Sequence, residues 1–521
     1  MGEGMSDQTV ARRRGARGAA RAGTRKNEAV YQGIQGGRYR PLTDRDIERI
    51  HRAALDVLER VGLADPIPEV RELALARGAL ENEQGRLCFP RSLVEEVIAG
   101  AARNFVLFGR DPQHDLSITE SCVYFGTEGA AVTVLDVETG TPRPSTLVDF
   151  YDSVRLVDQL EHLSRFDETV VPTELTDRFE LDVNKAYACI AGTTKNFGID
   201  IFRPEDVSPI IAMFDTVLGG EGRFRRRPFA QVVSSPVVSP LRYGADNSAV
   251  AIWAARAGIP VQVVANPQAG ATAPAALAGA LVQGFAETLA CLILVNLAVP
   301  GHPVIFGNWP VVNDLRTGAY TVAGGEHALL AAASAQISNF YDLPSGVMAG
   351  GSDSKLPDNQ AGYEKALVAA LAGLAGANLI SESGGMLSGL LCHSFESLAI
   401  DNEMLGAVRR AIRGIEVTDE TLSVEVIEEV VKGPGHYLTH PQTLALMDTE
   451  YLYPQLGDRS SPEEWRERGG RDIRVRARER VRTLLASHYP TYIDPGADEA
   501  IRDRLPIRLP REAMEPGCGR W

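Results

Sequence analysis

The sequence predicts an α/β fold: a (β/α)8 TIM barrel with a small helical domain before it and a helical extension after it. Short apolar runs alternate strictly with amphipathic segments after residue 115, which is typical of a parallel sheet covered by helices. This alternation repeats eight times in the 521 residues, and eight repeats favour closure into a barrel. An open, doubly wound α/β sheet is the alternative that the pattern leaves.

Two segments precede the barrel. Residues 1–39 are a basic tail, because seven arginines and lysines lie among glycine and alanine before residue 27 and no apolar stretch of a secretory signal is present. We expect this tail to be disordered. Residues 40–115 have apolar side chains at helical spacing over Thr43–Gly62, Ile67–Arg77 and Arg91–Ala102, which predicts a small helical N-terminal domain.

The barrel is predicted over residues 116–417. Its strands are short apolar runs and its helices are longer segments with apolar residues at helical spacing. The predicted strands are Cys122–Gly126, Phe166–Val171, Phe197–Phe202, Phe229–Ser234, Val261–Ala265, Val304–Gly307, Ser345–Ala349 and Asn378–Ser381. The predicted helices are Leu147–Leu160, Phe179–Ile190, Pro204–Leu218, Ala245–Ala257, Pro274–Leu297, Glu326–Phe340, Asn359–Leu374 and Phe395–Arg413. Residues 418–521 are predicted to form a charged C-terminal helical extension.

Charge, composition and residue spacing exclude several classes of function. The net charge of −15 argues against a nucleic-acid partner. The six cysteines show no CxxC pairing, which indicates reduced thiols in the cytoplasm. The longest apolar run, Leu289–Pro300, is too short to span a bilayer, so we expect no membrane association. The nine histidines lack metal-binding spacing at any strand end, and we expect no metal site.

The candidate active site lies in the loops that follow the barrel strands, because barrel enzymes place their catalytic residues there. The loop after strand seven contains Asp353, Lys355 and Asp358 beside the pair Gly350–Gly351, which is more ionisable groups than a turn needs. Glu128 follows strand one. We predict Asp353, Lys355 and Glu128 as catalytic residues. No nucleophile elbow, phosphate loop or dinucleotide-binding glycine motif is present.

Three segments in the second half of the barrel carry a family resemblance. Ser352–Asp358 reads SDSKLPD, within a stretch that continues to Lys365, Gly376–Ile380 reads GANLI, and Ile400–Glu403 reads IDNE. Together they resemble the trimethylamine methyltransferase superfamily, whose members demethylate methylated amines and pass the methyl group to a corrinoid protein. The resemblance extends from about residue 40 to beyond residue 490.

The resemblance also implies a substrate class. The archaeal trimethylamine enzymes carry pyrrolysine at the active site, whereas this sequence contains only standard residues. It therefore resembles the branch without pyrrolysine, which implies a quaternary amine such as glycine betaine, proline betaine or carnitine. The implied methyl acceptor is the cob(I)alamin of a partner corrinoid-binding protein, and no cofactor is expected to be bound tightly. We also expect a homo-oligomer formed through the C-terminal helices.

A quaternary ammonium ion already carries its positive charge, so the amine leaves neutral when a methyl group departs. The protein then needs a cation pocket built from aromatic faces and carboxylates, alignment of the methyl group with cobalt, and exclusion of water. The predicted substrate-binding residues are Phe125, Asn308, Trp309, Ser352, Glu382, His393 and Phe395. If the substrate is a betaine, its carboxylate needs Lys355, Arg316 or His393 as a donor.

Two other functions fit the barrel, and each predicted aromatic residue also fits the barrel core. One is a lyase or aldolase that forms a Schiff base at Lys355, which borohydride would trap. The other is a betaine-binding or corrinoid-partner module without catalysis. Such a module would bind a ligand and fail to methylate cob(I)alamin.

Overall fold

A computed structural model describes residues 33–517 and 519–521. Eight parallel strands lie side by side in the order β1-β8-β7-β6-β5-β4-β3-β2, and a parallel bridge between Gly126 and Arg165 joins β1 to β2 and closes the barrel. The strands are β1 Cys122–Phe125, β2 Arg165–Phe166, β3 Asn196–Asp200, β4 Ala230–Ser234, β5 Val261–Ala265, β6 Val304–Asn308, β7 Ser345–Met348 and β8 Leu379–Ser381. The predicted barrel is confirmed, and the doubly wound sheet is wrong.

A helix follows each strand, and local sequence fixes its ends. Thr146 and Asp149 form a capping box at the start of α1. Gly376, at φ +87°, ends α7 in the left-handed conformation that glycine favours. The barrel helices are α1 Leu147–Gln159, α2 Arg178–Gly192, α3 Val207–Val217, α4 Ala245–Ala257, α5 Leu277–Ala298, α6 Gly325–Phe340, α7 Asn359–Ala375 and α8 Phe395–Arg413.

Several loops between strand and helix contain short elements of their own. These are strands Thr133–Leu135, Pro142–Pro144, Val237–Val238, Arg242–Tyr243, Gln268–Ala269, Val311–Asn313, Tyr320–Thr321, Met386–Leu387 and Cys392–His393, and the 3-10 helix Pro204–Asp206. The short helix Arg223–Arg226 lies between α3 and β4. Most of these strands pair with one another above the barrel, so the loops form a structured rim around its carboxyl-terminal end.

Helix α5 is the longest barrel helix, with 22 residues. It is long and apolar enough to cross a membrane, but 78% of its most apolar stretch is buried inside the protein. The helix Asp44–Arg60 of the N-terminal segment packs against it. A helix that is apolar on all sides and covered in this way is typical of a protein core.

The segment before the barrel contains the three predicted helices together with two hairpins. Its helices are Asp44–Arg60, Pro68–Ala76, Arg91–Gly100 and the 3-10 helix Pro112–His114, and its strands are Leu80–Glu81, Leu87–Cys88, Phe105–Leu107 and Leu116–Ile118. The second hairpin closes the amino-terminal end of the barrel, where its apolar side chains pack on Tyr124, Ile305 and Leu379. The hairpin therefore covers the amino-terminal end of the barrel.

The contacts divide the chain differently from the predicted domains. Residues 33–413 and 454–521 belong to one unit, and residues 414–453 to another. Residues 40–115 are not a separate domain, because their helices pack on the barrel. The strand Ile34–Gln35 pairs antiparallel with β1, so this part of the predicted basic tail 1–39 is ordered. Residues 1–32 of that tail lie outside the described residues.

The predicted extension 418–521 is helical, but it is divided between the two units. Residues 414–453 contain helices Val424–Lys432 and Pro441–Glu450. Residues 454–521 contain helices Pro462–Glu467, Ile473–Ser487 and Pro495–Arg504 and the 3-10 helix Arg511–Met514. Helix Ile473–Ser487 packs on α8 and α1, which explains why the end of the chain belongs with the barrel.

Candidate active site

A polar layer crosses the middle of the barrel. Arg165 of β2 donates from Nη1 to Gln262 Oε1 of β5 over 3.1 Å, and Gln262 Nε2 lies 3.4 Å from Ser381 Oγ of β8. These strands are not neighbours in the sheet, so the contacts pass through the barrel interior. Gln231 of β4 joins the layer at 2.8 Å from Gln262. Barrel interiors are usually filled by branched apolar side chains, and this polar layer therefore indicates a functional interior.

Four carboxylates lie above this layer, at the carboxyl-terminal ends of β1, β2, β3 and β8. We call Glu128, Asp167, Asp200 and Glu382 the carboxylate cluster. Glu128 interacts electrostatically with the other three, and Arg165 forms an ion pair with Asp167. One oxygen each of Glu128, Asp167 and Glu382 is buried and accepts no hydrogen bond from the protein. Such unpartnered oxygens are unfavourable unless a ligand or proton satisfies them.

The environment raises the pKa of every member of the cluster. Burial raises the pKa of Glu382 to about 8. Burial raises that of Asp167 to about 6, although Arg165 opposes the shift. The pKa of Glu128 is raised by burial and then by the neighbouring carboxylates, and burial raises that of Asp200. Burial therefore favours the protonated, neutral form of these carboxyl groups.

Backbone geometry fixes the position of Glu382. It follows β8 with φ at +61°, a left-handed conformation that side chains other than glycine rarely adopt. Its amide donates to Thr127 O over 3.2 Å, and the amide of Ser383 donates to Gly126 O over 2.9 Å. The loops after β8 and β1 thus hold each other. A strained backbone that is retained in this way is typical of functional sites.

Glycine at position 198 makes room for the buried ion pair. A Cβ atom at Gly198 would collide with Asp167 Oδ1 and would lie 2.9 Å from Arg165 Nη2. Gly126 has the same role on β1, since a Cβ atom there would lie 2.7 Å from Arg165 Cγ. Small residues on both neighbouring strands therefore allow the guanidinium to enter the barrel.

Lys185 of α2 supports the cluster. Its Nζ donates to Glu168 Oε2 over 2.7 Å and to the backbone oxygen of Asp200 over 3.1 Å. Asp182 lies 3.9 Å from the same ammonium. Burial raises the pKa of Glu168 to about 7. Lys185 is thus a positioning residue, because it fixes the backbone from which Asp200 projects and adds positive charge near the cluster.

The hairpin Val311–Asn313 with Tyr320–Thr321 supplies an apolar wall opposite the carboxylates. Tyr320 Oη lies 3.9 Å from Met348 Sδ, and both side chains belong to a cluster with Trp309 and Val264. Burial raises the pKa of Tyr320, and the charge of Glu382 adds to the shift. Tyr320 therefore lies within range of the charge on Glu382.

Four predicted site residues lie in or near this mouth. Glu128 and Glu382 belong to the carboxylate cluster, and Trp309 is part of the apolar wall with its Nε1 unpartnered by protein atoms. Asp353 lies at the edge, where its Oδ1 accepts from Val322 N over 3.1 Å, and burial raises its pKa. The sequence thus identified two of the four carboxylates in the cluster.

Two residues predicted in the loop after β7 have other roles. The hydroxyl of Ser352 is buried and donates to Glu364 Oε2 over 2.6 Å, so it fixes the loop. Lys355 is exposed, and its Nζ donates to the backbone oxygen of Asp353 over 2.7 Å. The prediction of Lys355 as a catalytic residue therefore has no support in the geometry, because its ammonium is held by its own loop.

The structure gives four predicted substrate-binding residues contacts with the surrounding helices or with the end of the chain. Phe125 packs against α7, close to Gly373. Asn308 donates to Ser334 Oγ of α6 over 3.0 Å. His393 approaches Ser153 of α1 at 3.4 Å. For Phe125 and Asn308 the physical reason is the alternation of side chains along a barrel strand, which turns neighbours in sequence to opposite faces of the sheet.

Phe395 is the fourth of these residues, and it begins α8. Its ring lies 5.3 Å from that of His393 and 5.4 Å from that of Trp521. Trp521 Nε1 in turn donates to Asp152 Oδ2 over 2.8 Å. Phe395 therefore anchors the end of the chain to the barrel.

The residues behind the family-like motifs hold the loops in place. Asp401 Oδ2 accepts from Lys365 Nζ over 2.6 Å and from Gly385 N over 2.7 Å. Asn402 accepts from His162 N over 2.9 Å, and Glu403 accepts from Gln455 N over 3.1 Å. These side chains join α7, α8 and the loop after β8, so they set the geometry of the mouth from outside.

Sequence reasoning missed most of the interior polar residues. These are Arg165, Asp167, Asp200, Gln231, Gln262 and Tyr320. Arg165 and Asp167 flank Phe166, the first residue of the second predicted strand, and that alternation of charged and apolar residues was the available signal. Tyr320 gave no signal, because its position depends on a hairpin inside a long loop.

Comparisons with known proteins show the family to which the chain belongs. The sequence model of the family described as trimethylamine methyltransferase (MTTB) matches residues 10–509. Trimethylamine methyltransferase MttB of Desulfitobacterium hafniense is 32% identical over 88% of this chain and 91% of that protein. Glycine betaine methyltransferase of the same species is 28% identical over 89% and 96%. The crystal structure of monomethylamine methyltransferase (MtmB) of Methanosarcina barkeri has a TM-score of 0.49 and 14% identity over 88% and 89%.

Proposed function

Because the chain belongs to the trimethylamine methyltransferase family, we propose that it moves a methyl group from a quaternary amine, the class of glycine betaine, to the Co(I) corrinoid of a partner protein. The observation that carries this proposal is the carboxylate cluster, with buried oxygens on Glu128, Asp167 and Glu382 that no protein donor satisfies. A fixed cation is the ligand that such oxygens favour.

The mouth combines the two features that bind a quaternary ammonium ion. Such an ion donates no N–H hydrogen bond, so it is recognised by opposite charge and by aromatic faces. The carboxylates supply the charge, and Tyr320 supplies an aromatic face within range of the charge on Glu382. Entry of the cation favours the ionised form of each carboxyl group, so binding releases protons from the cluster.

The chemistry of the transfer follows from this charge distribution. The methyl group leaves nitrogen for the Co(I) of the partner's corrinoid, which is the second substrate, and the amine becomes a neutral tertiary amine. The neutral amine leaves the carboxylate cluster and takes up a proton from water after its release. This chain therefore binds the substrate, aligns its methyl group and excludes water.

The corrinoid-binding partner is proposed to dock at the barrel mouth, since the hairpin Phe105–Leu107 with Leu116–Ile118 blocks the other end. A transient complex of this kind needs only a modest interface. We propose a cytoplasmic location, which the free, buried state of Cys88, Cys122, Cys189, Cys291 and Cys392 supports. The homo-oligomer is supported by exposed apolar side chains of segment 414–453, and analytical ultracentrifugation would test it.

The decisive experiment is methylation of cob(I)alamin by the purified full chain under strict reduction. Methylcobalamin is followed spectroscopically with glycine betaine, proline betaine, carnitine, choline, tetramethylammonium and trimethylamine, one at a time. We expect a signal with at least one quaternary compound, and the loss of that signal in the variant Asp200→Asn. Glu48→Gln is the matched surface control, because Glu48 is exposed on the N-terminal segment.

Silence with free cob(I)alamin is resolved by adding the corrinoid-binding protein. Continued silence while a quaternary amine still binds would refute methyl transfer and support the binding module without catalysis. The Schiff-base alternative predicts trapping by borohydride at Lys355. We expect no trapping, because that ammonium is exposed and bound to the backbone of its own loop.

A further inference from the structure

We propose that the substrate is a quaternary ammonium ion without a carboxylate, of the kind represented by choline and tetramethylammonium, and that the charges around the barrel mouth disfavour betaines. This inference rests on the proposed function and narrows its substrate class. It follows from the charges inside the barrel and from the pairing of the basic side chains in the loops around the mouth.

The barrel interior offers a substrate carboxylate no unoccupied cation among the described residues. The positive charges that act on the carboxylate cluster are those of Arg165 and Lys185, and both side chains are buried. Arg165 is engaged by Asp167 and Gln262. Lys185 is engaged by Glu168. A carboxylate on the substrate would therefore lie beside other carboxylates without a donor of its own.

The loops around the mouth have the same charge imbalance. Between the end of each barrel strand and the start of the next helix there are 13 aspartates and glutamates and five arginines and lysines. The four arginines are each paired with an aspartate, as Arg143–Asp149, Arg203–Asp206, Arg242–Asp65 and Arg316–Asp314. The excess of negative charge attracts a ligand with net positive charge and gives no advantage to a zwitterion.

The three residues predicted as alternative donors to a betaine carboxylate are unsuitable. Lys355 is held by its own loop, and Arg316 is held by both oxygens of Asp314. His393 lies outside the barrel, and burial lowers its pKa to about 3, so it carries no positive charge. In a betaine the carboxylate is covalently close to the ammonium group, and it cannot avoid the cluster when the ammonium binds there.

Binding and turnover are measured separately to test this inference. The assay is isothermal titration calorimetry with the full chain. We expect choline or tetramethylammonium to bind roughly 100-fold more tightly than glycine betaine or carnitine. The reason is that an uncompensated contact between like charges at a buried site raises the dissociation constant by about that factor. Equal or tighter binding of glycine betaine overturns the inference.

A charge-neutral variant separates charge from shape. Glu382→Gln removes one partner of the cation and should reduce the ratio of choline to glycine betaine affinity by roughly tenfold, whereas Glu48→Gln should leave the ratio unchanged. Asp200→Asn is a second variant for the case that Glu382→Gln fails to fold. An unchanged ratio in the folded variants contradicts the inference.

The two proposals fail in different ways. Choline binding without methyl transfer, even with the corrinoid-binding partner, refutes the proposed function and leaves the substrate class standing. Methyl transfer from glycine betaine with a higher kcat/KM than from choline supports the proposed function and overturns the substrate class.

Discussion

Replacing Glu382 by glutamine is predicted to change how the stability of the protein depends on pH. Glu382 is 3% exposed, and burial raises its pKa from 4.5 to about 8. Because the folded state binds this proton more tightly than the unfolded state, the group contributes stability that is fully present below pH 4.5. That contribution is lost as the pH rises through about 8.

The magnitude follows from the size of the shift. One pKa unit corresponds to about 1.4 kcal/mol, so the total loss for Glu382 is about 5 kcal/mol, of which roughly 3 kcal/mol falls between pH 5 and pH 8. Asp167 and Glu168, with pKa values of about 6 and about 7, add losses of the same sign. The variant Glu382→Gln removes only the contribution of Glu382 to this pH-dependent loss of stability, because glutamine does not titrate.

The assay is denaturant unfolding at several pH values between 5 and 8, with the wild-type chain, Glu382→Gln and the control Glu48→Gln. The wild type and the control should lose stability in parallel as the pH rises, and Glu382→Gln should lose roughly 3 kcal/mol less. Parallel curves for all three proteins would show that Glu382 is ionised in the empty barrel, and the reasoning about its proton would be wrong.

Three further predictions concern the interior and its surroundings. Arg165→Met leaves Asp167 buried without a counter-ion and should reduce the free energy of unfolding by about 3–5 kcal/mol; adding Asp167→Asn should restore most of it, and a double variant as unstable as the single one would contradict this. Phe125→Leu should reduce stability by about 1 kcal/mol and leave KM within about twofold in steady-state kinetics, since Phe125 faces α7. Lys185→Met should lower kcat/KM roughly tenfold and shift the pH profile of the reaction, because Lys185 holds the backbone of Asp200. A change in stability without a change in kcat/KM or in the pH profile would show that Lys185 has a merely structural role.

The fold could be predicted because it depends on a repeated local pattern. The apolar runs and amphipathic segments identify eight units, and Ala245–Ala257, Val261–Ala265 and Phe395–Arg413 are found with the predicted boundaries. The second strand is shorter than predicted, at Arg165–Phe166. Its ladder with β3 ends at Phe166, and the next residue, Asp167, forms the buried ion pair with Arg165, which apolar periodicity does not detect.

The sequence predicted only those members of the carboxylate cluster whose positions follow from the end of a strand. Glu128 and Glu382 follow their strands directly, so the carboxyl-terminal ends of parallel strands bring them together. Phe125 and Asn308 are also at strand ends, but the alternation of faces turns them outward. The inward or outward phase of each strand depends on barrel tilt and packing, which no single strand encodes by itself.

The contacts of the family motifs explain why these motifs do not determine the substrate. Glu364 holds Ser352 and the amide of Asp353, and Asp401 holds Lys365 and the amide of Gly385. All of these contacts fix the loops after β7 and β8 from the side of the helices. The groups that face the mouth are instead single residues at the ends of separate strands. The charge of the mouth can therefore differ between chains that share the motifs, and substrate choice is to be read from the carboxylate cluster and its cations.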